Sequence, residues 1–159
     1  MGIDNVYCED LITFLHRHPK AFACITAFDV VEHFPKCEVL ELLDAIYQAL
    51  QSDGIFIMQV LNGANPFHGT IQYADFTHEL AFTRESVVQV LSAAGFMNMR
   101  VYPTGPVVHG VLSAVRWIIW HTIRLLLVFY LAAEMESIHG HNLTANLIDA
   151  AQKPQGVCW

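Results

Sequence analysis

Two continuous apolar runs of strand length, separated by one amphipathic helix, constrain this 159-residue chain more than any other feature of its sequence. The runs cover residues 22–31 and 55–61. Between them, over residues 37–51, apolar side chains recur at the helical spacing i, i+3, i+4, i+7, and Gly54 follows the predicted helix end. A strand, a helix and a strand in this order predict a right-handed crossover between two parallel, buried strands.

Other segments extend this alternation of strands and helices. The remaining predicted elements are strands at 5–8, 96–102 and 146–151 and helices at 11–18 and 84–94. Pro19 ends the first of these helices, Thr83 suits the N-cap of the second, and Gly95 suits its end. The sequence therefore predicts an α/β fold in one domain over residues 1–159, with flanking helices on a mostly parallel sheet.

Residues 62–82 have no sustained period and predict a loop of about twenty residues, longer than compact domains usually contain without a functional reason. The loop carries several aromatic and titratable side chains. Ligands of such sheets bind beyond the carboxyl ends of the strands, so we expect the site near residues 9–10, near residues 29–33 and in this loop.

A long, two-faced helix is predicted at about 111–136. Arg124 interrupts its apolar stretch, and an arginine near the centre of a membrane span costs about 2.5–3.5 kcal/mol, which disfavours a spanning helix. Its polar side chains fall within an arc of roughly 140°. Two interpretations remain open: the helix packs on the domain or on a second copy of the chain, or it makes a peripheral contact with a membrane surface.

Composition excludes several classes of protein. Hydrophobic residues make up 54% of the chain and charged residues 14%, which excludes disorder. The net charge of −7 and the scattered basic residues argue against a nucleic-acid partner. The four cysteines form no C-x-x-C pair and no secretory signal is apparent, so a cytoplasmic location is expected. The nine histidines, including His139 and His141, complete no spaced ligand set, and we predict no metal site.

Several motifs carry a family resemblance that covers roughly residues 5–102. They are Asp10, the segment FDVVEHF at 28–34, LQSDGIFIM at 50–58, YADFTHE at 73–79, and the pairs Phe82-Thr83 and Gly95-Phe96. In order and spacing they resemble the later part of a class I S-adenosylmethionine-dependent methyltransferase of the small-molecule type, and residues 146–154 are similar to the last strand of that family. The resemblance implies a Rossmann-like fold and S-adenosylmethionine as cofactor.

The sequence also departs from the family. Family members open with a strand and a glycine-rich turn at the methionine end of the cofactor, then a second strand whose terminal acid binds the ribose. None of the nine glycines here forms a G-x-G pattern. If residues 5–8 correspond to the third strand of the family, the first two strands are absent, and we expect an N-terminally truncated sheet.

The resemblance implies roles for particular residues. Asp10, Leu11 and Asp29 would bind the cofactor, with Asp10 accepting a hydrogen bond from the adenine amino group. His33 would act as a base or orient the acceptor, because a nearby carboxylate can orient an imidazole that titrates near neutrality. His78 would act on the loop that covers the acceptor. The predicted acceptor-binding residues are Tyr73, Asp75 and Glu79. The alternatives are a solvated acid at Asp10, a structural polar cluster at His33 and a hydrogen-bonded loop contact at His78.

Two functions follow as hypotheses. The first is transfer of a methyl group from S-adenosylmethionine to an oxygen or nitrogen of a small, sugar-linked or lipid-linked molecule. The second is a catalytically inactive relative that binds a protein or a membrane surface through residues 111–136.

Overall fold

The computed structural model describes residues 6–135 and 142–155. In chain order, the elements are α1 (Leu11–His16), β1 (Phe22–Phe28), a 3-10 turn (Val31–His33), α2 (Val39–Ala49), β2 (Leu50–Leu61), α3 (His68–Gln72), α4 (Arg84–Ala93), β3 (Met97–Pro103), α5 (Val111–Met135) and β4 (Asn146–Gln152). The strands form one sheet in the order β1-β2-β4-β3. This arrangement confirms the predicted α/β fold with flanking helices.

The predicted parallel pair is formed by β1 and β2, with Ile25 opposite Phe56 and Ala27 opposite Met58. β4 lies antiparallel to both β2 and β3, so β1, β2 and β3 run in the same direction. Their carboxyl ends therefore meet at one edge of the sheet, which we call the carboxyl edge. The chain also enters β4 at this edge, where Leu147 pairs with Pro103.

One face of the sheet forms the hydrophobic core. Because side chains alternate along a strand, Phe56, Met58 and Val60 of β2 point to the same face as Leu147 and Ala151 of β4. Helices α1, α2 and α4 pack on this face; they contribute Leu15, Leu42, Leu43, Ile46, Val87 and Leu91 to the same core cluster.

The opposite face is largely open, which corrects the predictions that 22–31 is a buried strand and that the run 55–61 is buried on both faces. Phe28 of β1 is 53% exposed and Ile55 of β2 is 44% exposed. Helices α1, α2 and α4 pack on the core face of the sheet and leave these two side chains exposed. Ile55, Arg100 and Gln152 line a shallow groove of about 470 Å³ on this open face.

Local signals explain several element boundaries. Asp10 caps α1 by accepting the Thr13 amide at 2.8 Å. Thr83 and Ser86 form a reciprocal capping box at the start of α4. Gly95 follows α4 with a φ of 89°, the left-handed conformation that glycine favours.

Two predicted elements are wrong. Residues 6–8 form no strand, and Asn5 lies outside the described residues. A strand needs a hydrogen-bonded neighbour. Within the described residues β1 pairs with β2 alone, so residues 6–8 have no strand partner. The predicted loop at 62–82 contains the short helix α3, and its two ends meet in a bridge between Asn62 and Phe82.

The long helix predicted at 111–136 is formed by α5 through Met135, and residue 136 lies outside the described residues. It is long and apolar enough to cross a membrane by length and composition, and only 6% of its most apolar window is buried. Ser113 stabilises its first turn, since its hydroxyl accepts the His109 amide at 2.8 Å and donates to the Gly110 carbonyl at 2.8 Å.

Candidate functional site

The site begins where the chain leaves β1 at the carboxyl edge. Asp29 follows the strand with a φ of 53°, a left-handed conformation that aspartate tolerates better than most residues. Its carboxylate accepts hydrogen bonds from the Gln59 side-chain amide of β2 at 2.9 and 3.2 Å. These bonds tie together the ends of the two parallel strands.

The 3-10 turn after β1 presents His33 to the loop that follows β2. The Nδ1 atom of His33 lies 2.9 Å from the Thr77 hydroxyl and 3.2 Å from the Thr77 carbonyl oxygen. A carbonyl can only accept, so Nδ1 carries the proton and Nε2 is the basic nitrogen of the ring. The Thr77 hydroxyl in turn donates to Asp75 Oδ1 at 2.8 Å. Asp75 therefore supports His33 through Thr77.

His78 lies beside His33, with ring centroids 4.8 Å apart. Its Nδ1 atom lies 3.1 Å from the Gln72 carbonyl oxygen. By the same reasoning, Nδ1 of His78 is protonated and Nε2 is basic. The structure thus brings together two imidazoles in the same tautomer, which we call the histidine pair.

Glu32 is a residue of this region that the site prediction missed. Its side chain is fully buried, and neither carboxylate oxygen has a hydrogen-bond partner among residues 6–135 and 142–155. Burial raises the pKa of Glu32, the charge of Asp29 raises it further, and the neighbouring His33 and His78 lower it. Its backbone carbonyl accepts the amides of Glu79 and Leu80 at 2.8 and 3.0 Å. The sequence signal is an acid between a strand end and a histidine.

The other predicted residues of the loop differ in how they contact the region of the histidine pair. Asp75 contacts Thr77, and these hydrogen bonds lower the pKa of the Asp75 carboxyl. Glu79 joins the region through its backbone, while its side chain is exposed. Tyr73 is 84% exposed on the same loop.

Asp10 and Leu11 lie at the start of α1, which packs against α2. The bond from Thr13 holds the pKa of Asp10 below its usual value. Leu11 is the first residue of the helix, so its amide has no partner within the helix. Asp10 thus offers an exposed carboxylate, and Leu11 an amide without a partner within α1, which are the acceptor and donor that the edge of an adenine ring would require.

Comparison with known proteins gives the class of fold. No family model matches the sequence, and no curated protein matches it. Among solved structures, an S-adenosylmethionine-dependent methyltransferase from Archaeoglobus fulgidus is similar at 18% identity and a TM-score of 0.66, over 94% of this chain and 67% of that one.

Two further structures give the same result. Phosphoethanolamine N-methyltransferase 2 from Haemonchus contortus, solved with S-adenosyl-L-methionine, is 18% identical with a TM-score of 0.52, over 86% of this chain and 34% of that one. A possible histamine N-methyltransferase from Thermotoga maritima is 13% identical with a TM-score of 0.55, over 85% of this chain and 57% of that one. The chain spans from about a third to two thirds of the length of these structures.

The fold is therefore that of the class I S-adenosylmethionine-dependent methyltransferases, as the sequence resemblance implied. Within it, the histidine pair lies past the carboxyl end of β1, on the side of the sheet where α/β proteins bind their ligands.

Proposed function

We propose that this chain takes part in methyl transfer from S-adenosylmethionine to an oxygen or nitrogen of a small, sugar-linked or lipid-linked acceptor. The observation that carries the proposal is the histidine pair at the carboxyl edge, with both Nδ1 atoms committed to hydrogen bonds. When bound, the cofactor supplies an electrophilic methyl group. The protein must then align the acceptor and accept the proton that the acceptor loses.

His33 is the proposed base. Its Nε2 atom takes the acceptor proton, and the imidazolium that results is stabilised through Thr77 by the carboxylate of Asp75. His78 lies beside it and orients the acceptor. Tyr73 and Glu79, exposed on the same loop, contribute to the binding of the acceptor.

Asp10 and Leu11 are the proposed contacts of the cofactor, through the Asp10 carboxylate and the Leu11 amide. Asp29 is the third proposed contact of the cofactor. It lies at the end of β1, where its hydrogen bonds to Gln59 hold two strand ends in place. We further propose a cytoplasmic location, which the exposed free thiols of Cys8, Cys24 and Cys37 support. The proposed contact element of the protein, toward a membrane or a second copy, is α5.

A catalytically inactive binding protein is the second candidate function. The observation that favours it is the lack of any G-x-G pattern among the nine glycines. A protein of this kind would keep the fold without holding the methionine end of the cofactor.

Calorimetric titration of the full chain with S-adenosylhomocysteine separates the two functions. Methyl transfer predicts a measurable 1:1 affinity. A dissociation constant of about 1 mM corresponds to a binding free energy of only about 4 kcal/mol. No binding at this ligand concentration would contradict methyl transfer and support the inactive protein.

A substitution at Leu11 tests the proposed cofactor contact. Proline is tolerated at the first position of a helix, and Asp10 before it is already extended, with φ −61° and ψ 127°. Leu11→Pro therefore removes the amide while keeping α1, and we expect about tenfold weaker binding, the value of one hydrogen bond. Leu11→Ala keeps the amide and is the matched control. Equal affinities for the two variants would rule out this contact.

A further inference from the structure

The polarity of α5 is inverted relative to an ordinary surface helix. The side chains of Ser113, Trp120, His121, Leu127 and Val128 are buried or half-buried, and the Trp120 ring lies beside Gly105. The opposite side is exposed and carries no charged residue. This outer face consists of Leu112, Val115, Ile118, Ile119, Thr122, Leu125, Leu126, Phe129 and Tyr130.

The outer face carries two hydroxyl groups, those of Thr122 and Tyr130, and the Thr122 hydroxyl donates to the Ile118 carbonyl at 2.9 Å. A hydroxyl that is already paired within its own helix enters an apolar medium at little cost. The outer face as a whole therefore suits an apolar environment.

The charges around α5 differ in sign from those of the chain as a whole. The chain carries a net charge of −7, yet residues 97–135 contain three arginines and one acid, Glu134. Arg116 and Arg124 on α5 are both exposed and lie outside the apolar arc. At about 100° per residue, Arg116 lies beside the apolar arc and Arg124 on the side opposite to it. Arg116 is complementary to a surface of anionic lipid headgroups, while the acidic remainder of the protein is repelled by such a surface.

The topology is incompatible with a membrane span. The chain leaves the sheet after Pro103 to form α5. It re-enters the sheet at Asn146, next to Leu147, which pairs with Pro103. Only ten residues separate Met135 from Asn146, whereas a second helical crossing needs about 20. An extended return would leave backbone groups unpaired in hydrocarbon. At a membrane, α5 would therefore lie along the surface instead of crossing it.

The width of the outer face favours lipid over a second copy of α5. At about 100° per residue, the outer face covers an arc of roughly 140°. The seam between two paired helices is a narrower stripe of positions spaced at three and four residues, so one partner helix would leave part of this face in water. A bilayer covers the whole arc.

We propose that α5 docks on an anionic bilayer, with its axis parallel to the membrane plane and its outer face inserted at the boundary between headgroups and acyl chains. Both connections of α5 reach the carboxyl edge, so docking brings that edge to the membrane.

Flotation of the full chain with vesicles tests this proposal. We expect the protein to float with vesicles of phosphatidylcholine and phosphatidylglycerol, less with pure phosphatidylcholine, and less at high salt. Arg116→Gln should weaken binding about fivefold, and Arg124→Gln, on the side away from the bilayer, should weaken it less. Leu126→Glu with Phe129→Glu should abolish it.

A second pair of charge substitutions controls for a general effect of added acid. Leu40→Glu with Met97→Glu changes two other exposed apolar positions, 47% and 54% exposed, and should leave flotation unchanged. Sedimentation without vesicles gives the oligomeric state. Flotation that survives in the Leu126 and Phe129 variant, or a dimer that this variant disrupts in a protein that does not float, would overturn the proposal.

Discussion

Asp149 lies in the middle of β4 with its carboxylate in the hydrophobic core. The side chain is 1% exposed, and neither oxygen has a hydrogen-bond partner within the described structure. Burial raises the pKa of Asp149 from 3.8 to about 6, although backbone amides at Arg100 and Ala150 and the charge of Arg84 act in the opposite direction. The ionised carboxylate is therefore a destabilising group in the folded protein.

This burial predicts a pH dependence of stability. Between pH 3.8 and about 6 the folded protein binds more protons at Asp149 than the unfolded chain, so the free energy of unfolding falls as pH rises through this range. At about 1.4 kcal/mol per pKa unit, the fall amounts to roughly 3 kcal/mol. Asp149→Asn should remove this part of the fall, as measured by urea unfolding at pH 4 and pH 7.

Glu32 contributes a pH dependence of the same sign, because its pKa is also raised. Its contribution to the fall in the free energy of unfolding therefore remains in Asp149→Asn. Asp44→Asn, at an exposed position of α2, is the matched control and should keep the full dependence. An unchanged dependence in Asp149→Asn would show that this carboxylate is not the source.

His33 provides the prediction for activity at the scale of one residue. His33→Gln keeps a polar side chain of similar length but cannot accept the proton of the acceptor. We expect turnover with any acceptor that the native protein methylates to fall by about 10²–10⁴-fold. Turnover is measured as formation of S-adenosylhomocysteine.

His16→Gln, at an exposed position of α1, serves as the control for loss of a histidine. Native turnover in the His33 variant would exclude a base at this position and leave the histidine pair with a structural role.

At the scale of elements, the capping box of α4 gives a stability prediction. The Thr83 side chain accepts the Ser86 amide at 3.3 Å, and the Ser86 hydroxyl accepts the Thr83 amide at 2.9 Å. Thr83→Ala should lower the free energy of unfolding by about 1 kcal/mol. Ser92→Ala removes a hydroxyl whose partner is the Met99 sulfur at 3.7 Å, and its effect should be much smaller. Similar losses in the two variants would argue against a capping role.

Elements with strong local signals could be predicted from the sequence. Helix α2 follows from its apolar spacing and α4 from Thr83 and Gly95, because these signals act within a few residues. Residues 6–8 show the limit of this reasoning, since an extended, apolar segment becomes a strand only where a neighbouring strand accepts its hydrogen bonds. The helix α5 could be predicted from the sequence. Which of its faces packs on the protein and which stays exposed depends on tertiary contacts, which no local pattern encodes.

The site was partly predictable for the same reason. His33 follows the end of β1 and His78 lies in the loop after β2, so the sequence places both near the carboxyl edge, and the structure makes them neighbours. The link through Thr77 and the burial of Glu32 depend on how the loop folds back over 44 residues of sequence, which no local pattern encodes. The functional roles of all these residues remain predictions.

At the scale of the whole molecule, the order of the strands predicts which backbone amides are protected. β2 and β4 have neighbours on both sides, whereas β1 and β3 are edge strands. We expect amide hydrogen exchange to be slowest in β2 and β4 and faster in β1 and β3. Exchange followed by nuclear magnetic resonance tests this order. Protection of β1 equal to that of β2 would mean that another strand pairs with its outer edge.

The position of β4 also has a consequence for synthesis of the chain. β4 is translated after β1, β2 and β3, yet it lies between β2 and β3 in the sheet. The sheet therefore cannot be completed until residue 152 has left the ribosomal tunnel. Until then β2 and β3 each lack a neighbour, and a nascent polypeptide with two such unpaired edges is a natural client for a chaperone bound at the tunnel exit.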